Sequence, residues 1–66
     1  MRIFINGDQA DTESAKTVEE LVERCQMPPQ SLLIEHNGTA LHRREWSQRL
    51  LSEGDRLEII RVVAGG

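Results

Sequence analysis

The sequence has little aromatic character and a single cysteine. Its 66 residues include one phenylalanine, one tryptophan and no tyrosine. A chain of this size buries only a small core, and this one must be aliphatic, which leaves no room for a large enclosed cofactor. The lone cysteine, Cys25, excludes an internal disulfide framework and fits a reducing compartment.

Long hydrophobic runs and an excess of positive charge are also missing. No stretch approaches the roughly 20 apolar residues that span a membrane, and no basic leader or apolar signal region precedes the first strand-like residues. Eight basic and eleven acidic residues give a net charge of -3, which argues against nucleic acid or an anionic membrane as the main partner. We therefore expect a cytoplasmic protein that binds neither.

Motifs that would carry catalysis are absent. The sequence has no glycine-rich phosphate loop and no Cys or His pair at zinc-ligand spacing. His36 and His42 are separated by six positions, with no third ligand within reach in the pattern. Cys25 falls on an apolar helical stripe and is expected to be buried, as free cysteine usually is. The sequence therefore predicts no catalytic residue, no metal site and no bound cofactor.

Apolar periodicity predicts several short strands. Met1, Ile3 and Ile5 alternate with polar or outward positions, so they are expected to face the core. An Asn-Gly pair at 6–7 turns this strand into a polar second strand at 9–13. Further strands are predicted at 31–36, in a short segment that ends at Leu41, and at 56–63. A helical turn at 44–51 is expected to bury Trp46 and either Leu50 or Leu51.

One main helix is predicted between the second and third strands. Thr17-Val18-Glu19-Glu20 has the pattern of a capping box, in which the Thr17 hydroxyl accepts from an amide and Glu20 reaches back to the Thr17 amide. Val18, Leu21, Val22 and Cys25 follow at the spacing of one apolar stripe. The prolines at 28–29 cannot continue a helix, which limits it to about ten residues.

This order of elements predicts an α+β fold of the ubiquitin-like β-grasp type. A helix between the second and third strands supplies the crossover that lets the first and last strands pair in parallel. The expected architecture is a mixed sheet of four to five strands with one main helix across one face. We assign residues 1–62 to this domain and residues 63–66 to a flexible C-terminal tail.

The sequence ends in Gly65-Gly66, which suggests a chemical role for the tail. Glycine has no side chain and tolerates nearly any backbone conformation, so the tail can enter a narrow channel. A frayed terminus is the competing interpretation. A carboxylate reacts as an acyl donor only after activation, which needs ATP, a metal ion and a preorganised pocket. None of these is encoded here, so the protein is expected to be the substrate of another enzyme.

The last strand predicts a docking surface. Leu57 and Ile59 share one face, whereas Glu58, Ile60 and Val62 share the other. Because Glu58 marks that second face as solvent-exposed, Ile60 and Val62 are expected to lie exposed beside Phe4 of the first strand. Contiguous apolar patches tend to be interaction sites, so we predict that Phe4, Ile60 and Val62 bind partner proteins.

Five stretches together carry a family resemblance. They are Asn37 to Leu41, Arg43-Arg44-Glu45-Trp46, Gly54-Asp55, the apolar strand Leu57 to Val63, and the terminal Gly65-Gly66. In this order and over the whole chain, they resemble the ThiS family, the sulfur carriers of thiamine biosynthesis. Two positions depart from the family pattern. His42 stands where proline is frequent, and His36 stands where an apolar residue is usual, which puts only local packing in doubt.

The resemblance implies a specific cycle. In that family the last glycine, here Gly66, is adenylated by an E1-like activating enzyme of the ThiF type, to which the ATP and the metal ion belong. The adenylate becomes a thiocarboxylate with sulfur that comes from a cysteine desulfurase. Thiazole synthase, of the ThiG type, then uses this sulfur to build the thiazole ring of thiamine. Gly65 lets the tail enter both enzymes in turn.

Three alternatives stay open. The same chemistry could serve another acceptor, as in the small subunit of a molybdopterin synthase or a carrier for tRNA thiolation. The activated glycine could instead be attacked by a lysine, as in a protein-conjugating modifier. A non-catalytic ubiquitin-fold binding module, such as an RNA-binding regulatory domain, would make no use of Gly66 at all.

Overall fold

The computed structural model describes residues 1–62, which form a five-stranded mixed sheet with one α-helix against it. Residues 63–66, including Gly65 and Gly66, lie outside the described part of the chain, as does the predicted end of the last strand. The strands are β1 (Arg2–Ile5), β2 (Asp8–Asp11), β3 (Leu32–His36), β4 (Thr39–Leu41) and β5 (Arg56–Arg61), the helix is α1 (Val18–Arg24), and 3₁₀ turns span Pro29–Ser31 and Arg43–Gln48.

The sheet has the strand order β2-β1-β5-β3-β4. The central pair, β1 and β5, is parallel, whereas β2 pairs with β1, and β3 pairs with β5 and β4, in antiparallel fashion. Asn6 and Gly7 join β1 to β2 with φ angles of 51° and 88°. A two-residue hairpin loop whose twist matches that of the strands requires positive φ angles at both positions. This arrangement confirms the predicted β-grasp fold.

Helix α1 packs its apolar stripe against the inner face of the sheet. Val18, Leu21 and Val22 are buried. The Glu20 amide donates to the Thr17 hydroxyl at 3.1 Å, as predicted, but the Glu20 carboxylate accepts from the Lys16 amide at 2.7 Å rather than from Thr17. The Val18 amide donates to the carbonyl of residue 49, and the Lys16 carbonyl accepts from the amide of residue 51. These bonds hold the segment before α1 extended, and the Glu20 side chain bonds one residue further back than predicted.

The prediction that Cys25 is buried is wrong. The helix has seven residues rather than about ten, and Cys25 caps its C-terminus with an exposed side chain. Gln26 then adopts a φ of 57°, which turns the chain so that Met27 packs against the core in its place. The Met27 amide reaches the Val22 carbonyl at 3.5 Å, a helix-ending bond of the kind that accompanies a left-handed residue.

The remaining core predictions are mostly confirmed. Ile3 and Trp46 are buried and Ile5 is partly buried. Of the two leucines considered for the core, Leu51 is buried, whereas Leu50 is 69% exposed. Met1 is also exposed, contrary to prediction, because it precedes the first paired residue of β1.

Candidate functional site

The outer face of the sheet carries an apolar patch on its two longest strands. Ile60 of β5 and Val62, one residue after its end, are 52% and 47% exposed, whereas Leu57 and Ile59 are buried, as the alternation predicts. Leu33 of β3 lies directly opposite Ile60 and is 58% exposed. We call Leu33, Ile60 and Val62 the apolar patch.

Sequence reasoning missed Leu33 as part of this surface. The alternation in β3 already placed it on the face away from the core, but only the pairing of β3 with β5 sets it beside Ile60. A groove of about 140 Å³ lies next to the patch, lined by Leu33, Ile34, Glu35, Ala40, Leu41 and Ile60. The apolar surface therefore continues toward the edge strand β4, where no residue had been proposed.

Phe4 does not adjoin this patch, contrary to the expectation that the three predicted docking residues lie together. The parallel register sets Phe4 opposite Arg56, four positions before Ile60 on the same strand. At about 3.3 Å per residue this is a separation of about 13 Å. Phe4 is only partly exposed and lines a separate hollow with Gly7, Arg56 and Glu58. Its role in partner binding stays a prediction.

The chain leaves the sheet at the end that carries the apolar patch. The Val62 amide donates to the Ser31 carbonyl at 2.6 Å, which fixes the end of β5 against the 3₁₀ turn at Pro29–Ser31. Four residues beyond this point can reach at most about 13 Å when extended. The patch therefore lies beside the point from which residues 63–66 continue.

A buried polar network closes the opposite end of β5. His36 faces inward with 6% exposure, and its Nε2 lies 2.7 Å from Oδ2 of Asp55. The Arg49 guanidinium donates from Nε to Nδ1 of His36 at 2.9 Å. Because Nδ1 accepts this bond, the ring proton of the neutral imidazole belongs on Nε2 and is donated to Asp55.

Asp55 is the acceptor on which this network converges. Burial by itself raises the pKa of the Asp55 carboxyl, but hydrogen bonds from His36, Asn37 and the Ser52 amide outweigh it and hold the pKa below its usual value. The bonded groups come from the end of β3, the β3–β4 turn and the loop before β5. The network therefore ties two loops together, and its geometry accounts for His36 as a structural residue.

Trp46 and His42 each contact neighbouring side chains of the fold. Trp46 is 1% exposed, and the Arg43 guanidinium lies 4.7 Å from the centroid of its ring. His42 is exposed at the start of the second 3₁₀ turn, where its amide donates to Glu45. Among residues 1–62, no three His, Cys, Asp or Glu side chains gather as a metal site would require. The helix in this range lacks the length and hydrophobicity to cross a membrane.

Comparison with known proteins gives consistent matches over the whole chain. The sulfur carrier protein ThiS of Escherichia coli K12 is 27% identical over 66 residues, which is 100% of both chains. The crystal structure of the thiamine biosynthesis protein ThiS from Geobacter metallireducens superposes with a TM-score of 0.83 at 25% identity and covers 100% of each chain.

Two longer relatives match as well. The thiazole synthases of Paramagnetospirillum magneticum and Magnetococcus marinus are each 27% identical over 66 residues. The chain spans only 20% of the length of these two enzymes. The model of the ThiS family matches residues 3–66, and the chain belongs to that family.

Proposed function

We propose that this protein is a sulfur carrier of thiamine biosynthesis and that the Gly66 carboxylate is the group that carries the sulfur. The observation that carries this proposal is the family match over residues 3–66, which includes the terminal glycines. The relative from E. coli, matched over its full length, is named a sulfur carrier.

The proposed chemistry has three steps at the Gly66 carboxyl group. The Gly66 carboxylate attacks the α-phosphate of ATP, which forms an acyl-adenylate and releases pyrophosphate. A persulfide, formed by a cysteine desulfurase, then attacks the activated carbonyl through its terminal sulfur, and AMP leaves with the original carboxylate oxygen. A thiol attacks the other sulfur of the resulting acyl disulfide, which releases the thiocarboxylate and leaves the thiol oxidised in a disulfide. An ATP-dependent activating enzyme of the ThiF type supplies the metal ion and the oxyanion stabilisation that these steps need.

The body of the protein contributes position rather than chemistry. The hydrogen bond from the Val62 amide to the Ser31 carbonyl holds the end of β5, so the tail that carries the reactive carboxylate starts from a fixed point. Glycine at positions 65 and 66 lets the end pass through a channel too narrow for side chains. The apolar patch beside it, with Phe4 further along the face, supplies the docking surface for the enzymes that load and unload the tail.

The two thiazole synthases that match this chain favour a thiazole synthase of the ThiG type as the sulfur acceptor. In each of them a segment similar to this chain makes up about a fifth of the protein, since the match covers 20% of the length. A carrier and an acceptor that work on the same sulfur are reasonable neighbours in one chain. This association supports thiazole formation over transfer to molybdopterin or to tRNA.

Intact-mass spectrometry tests the proposal. The protein is incubated with ATP, the activating enzyme and the sulfur donor system, and its mass is expected to rise by the difference between one sulfur and one oxygen. Fragmentation should place this change on Gly66. A variant with one alanine added after Gly66 should show no change, because its carboxylate is displaced from the reacting position.

The exposed Cys25 requires its own control, since a thiol can accept sulfur as a persulfide. A persulfide adds a sulfur atom without loss of oxygen, so the two products differ in mass. Cys25→Ser should be loaded as the wild type is. Mass change on Cys25 alone, or an amide bond between Gly66 and a lysine of another protein, would reject sulfur carriage on Gly66. To identify the sulfur acceptor, thiazole synthase is added to the loaded protein; formation of thiazole would show that this enzyme takes the sulfur.

A further inference from the structure

Two glutamates face each other across the middle of the outer face. Glu35 of β3 lies directly opposite Glu58 of β5, and both side chains are exposed. Within residues 1–62, neither carboxylate has a cationic group within 4.0 Å, since the ion pairs of this range involve other residues. Like charges directly opposite on a sheet destabilise it. The glutamate pair therefore does not stabilise the free folded protein.

The glutamate pair lies next to the apolar patch. Each glutamate is two positions from a patch residue on its own strand, Glu35 from Leu33 and Glu58 from Ile60, which is about 6.6 Å. The pair is on the side of the patch away from the chain end. Beyond it, Arg56 and the two glutamates line an open depression of about 570 Å³, yet Arg56 is not within ion-pair distance of either one.

We propose that the activating enzyme that loads Gly66 places a basic side chain between Glu35 and Glu58 when it docks on this face. This inference rests on the proposed function, which supplies the enzyme. An arginine fits the site best, because its planar guanidinium can bond to two carboxylates at once. Contact between that cation and the pair removes the repulsion that the free protein carries.

The glutamate pair then determines the direction in which the enzyme lies over the face. An apolar patch alone permits docking in several orientations, whereas a charge contact at one end of it selects one. With the cation over the glutamates and apolar contacts over Ile60 and Leu33, the enzyme's adenylation pocket must open beyond Val62. That is the direction from which four residues, with a reach of about 13 Å, deliver Gly66.

Glu58→Gln and Glu35→Gln test this, with Glu23→Gln as the matched control. Glu23 is exposed on α1, away from the sheet's outer face, and its substitution removes the same charge. The dissociation constant of the complex with the purified ThiF-type enzyme is measured at low and at high salt. We expect each sheet variant to bind about fivefold more weakly at low salt, with a smaller salt dependence, and the control to bind like the wild type.

A second measurement separates recognition from structure. Urea unfolding of the free protein should show an equal or higher midpoint for Glu58→Gln and Glu35→Gln, because each substitution removes the like-charge contact. Weaker binding together with undiminished stability identifies a recognition site. A lowered midpoint would show that the carboxylates support the fold, and it would overturn the proposal.

The remaining outcomes assign failure to one proposal or the other. If the wild type is adenylated on Gly66 but both sheet variants bind the enzyme as Glu23→Gln does, the glutamate pair plays no part in docking and only this inference fails. If the wild type is not adenylated at all, the proposed function fails. Concentration-dependent dimers of the wild type, lost in Ile60→Asp, would assign the face to a second copy of this chain instead.

Discussion

The two faces of strands β3 and β5 both carry aliphatic side chains, but only one of them is buried. Toward α1 the strands present Leu32, Ile34, Leu57 and Ile59, all buried. Away from it they present Leu33, Ile60 and Val62 together with two glutamates, all exposed. Aliphatic side chains occur on both faces, so their presence alone does not distinguish the faces. The difference lies in what covers them: the helix covers one, and nothing within residues 1–62 covers the other.

This contrast places the residues that stabilise the fold and those of the proposed docking surface at alternate positions of the same strands. Because successive side chains of a strand point to opposite faces, a substitution can change one property and spare the other. A small protein with one core cannot lose much buried area and stay folded. This separation means that substitutions on the outer face can change the proposed docking surface without loss of the core.

The largest effect on stability is expected from Ile34→Ala. Ile34 is 2% exposed, and its truncation should lower the free energy of unfolding by about 2 to 4 kcal/mol. Leu33→Ala is the matched control on the adjacent position, and its cost should stay within about 0.5 kcal/mol, the usual range for surface substitutions. Urea unfolding followed by circular dichroism measures both. Equal losses at the two positions would contradict the separation of the faces.

A smaller loss is expected where the inner face becomes polar, at the His36–Asp55 network. Asp55→Asn replaces a carboxylate that accepts from three donors with an amide that can accept at only one atom. The free energy of unfolding should fall by about 1 to 3 kcal/mol, the cost of unsatisfied buried groups. Asp8→Asn, at an exposed position of β2, is the control.

The pH dependence of this effect follows from the lowered pKa of Asp55. A carboxyl with a depressed folded-state pKa contributes its stabilisation fully above its unfolded pKa of about 3.9 and loses it as the pH falls through the folded value. Wild type and Asp55→Asn should therefore differ most near neutral pH and converge below about pH 4. A constant difference in unfolding midpoint from pH 7 to pH 2 would show that Asp55 ionisation contributes nothing.

Most of the fold could be predicted because local signals agreed with one another. The Asn-Gly turn, the cap at Thr17 and the proline pair each mark an element boundary, and the crossover then permits parallel pairing of β1 and β5. The errors occurred where a single residue changes direction. The left-handed conformation of Gln26 is not evident from composition, and it is what exposes Cys25 and places Met27 on the core.

The candidate site was predictable along strands but not across them. Alternation placed Ile60 and Val62 on the outer face, yet pairing register decided their neighbours. The register of β3 brought in Leu33 and that of β1 separated Phe4 from the patch. The same holds for His36. Its inward position could be predicted from the alternation in β3, whereas its partners Asp55 and Arg49 come from loops that only the folded chain brings together.

The smallest effect on stability and a large effect on binding are expected from Ile60→Asp. Ile60 is 52% exposed, so the change should alter the free energy of unfolding by no more than about 0.5 kcal/mol. The introduced carboxylate would, however, be desolvated in any complex that covers the apolar patch. Gln48→Asp introduces the same charge at an exposed site on the second 3₁₀ turn and serves as the control.

Pull-down with the activating enzyme and with thiazole synthase measures the result. Loss of both complexes in Ile60→Asp, with both retained in Gln48→Asp, would show that the two enzymes use the same outer face in turn. Phe4→Ala adds a finer distinction, since Phe4 lies about 13 Å from Ile60 along the strand direction. Weakening of one complex but not the other by Phe4→Ala would show that the two enzymes extend differently beyond the shared patch. Unchanged binding of Ile60→Asp to both would remove the outer face from the docking surface.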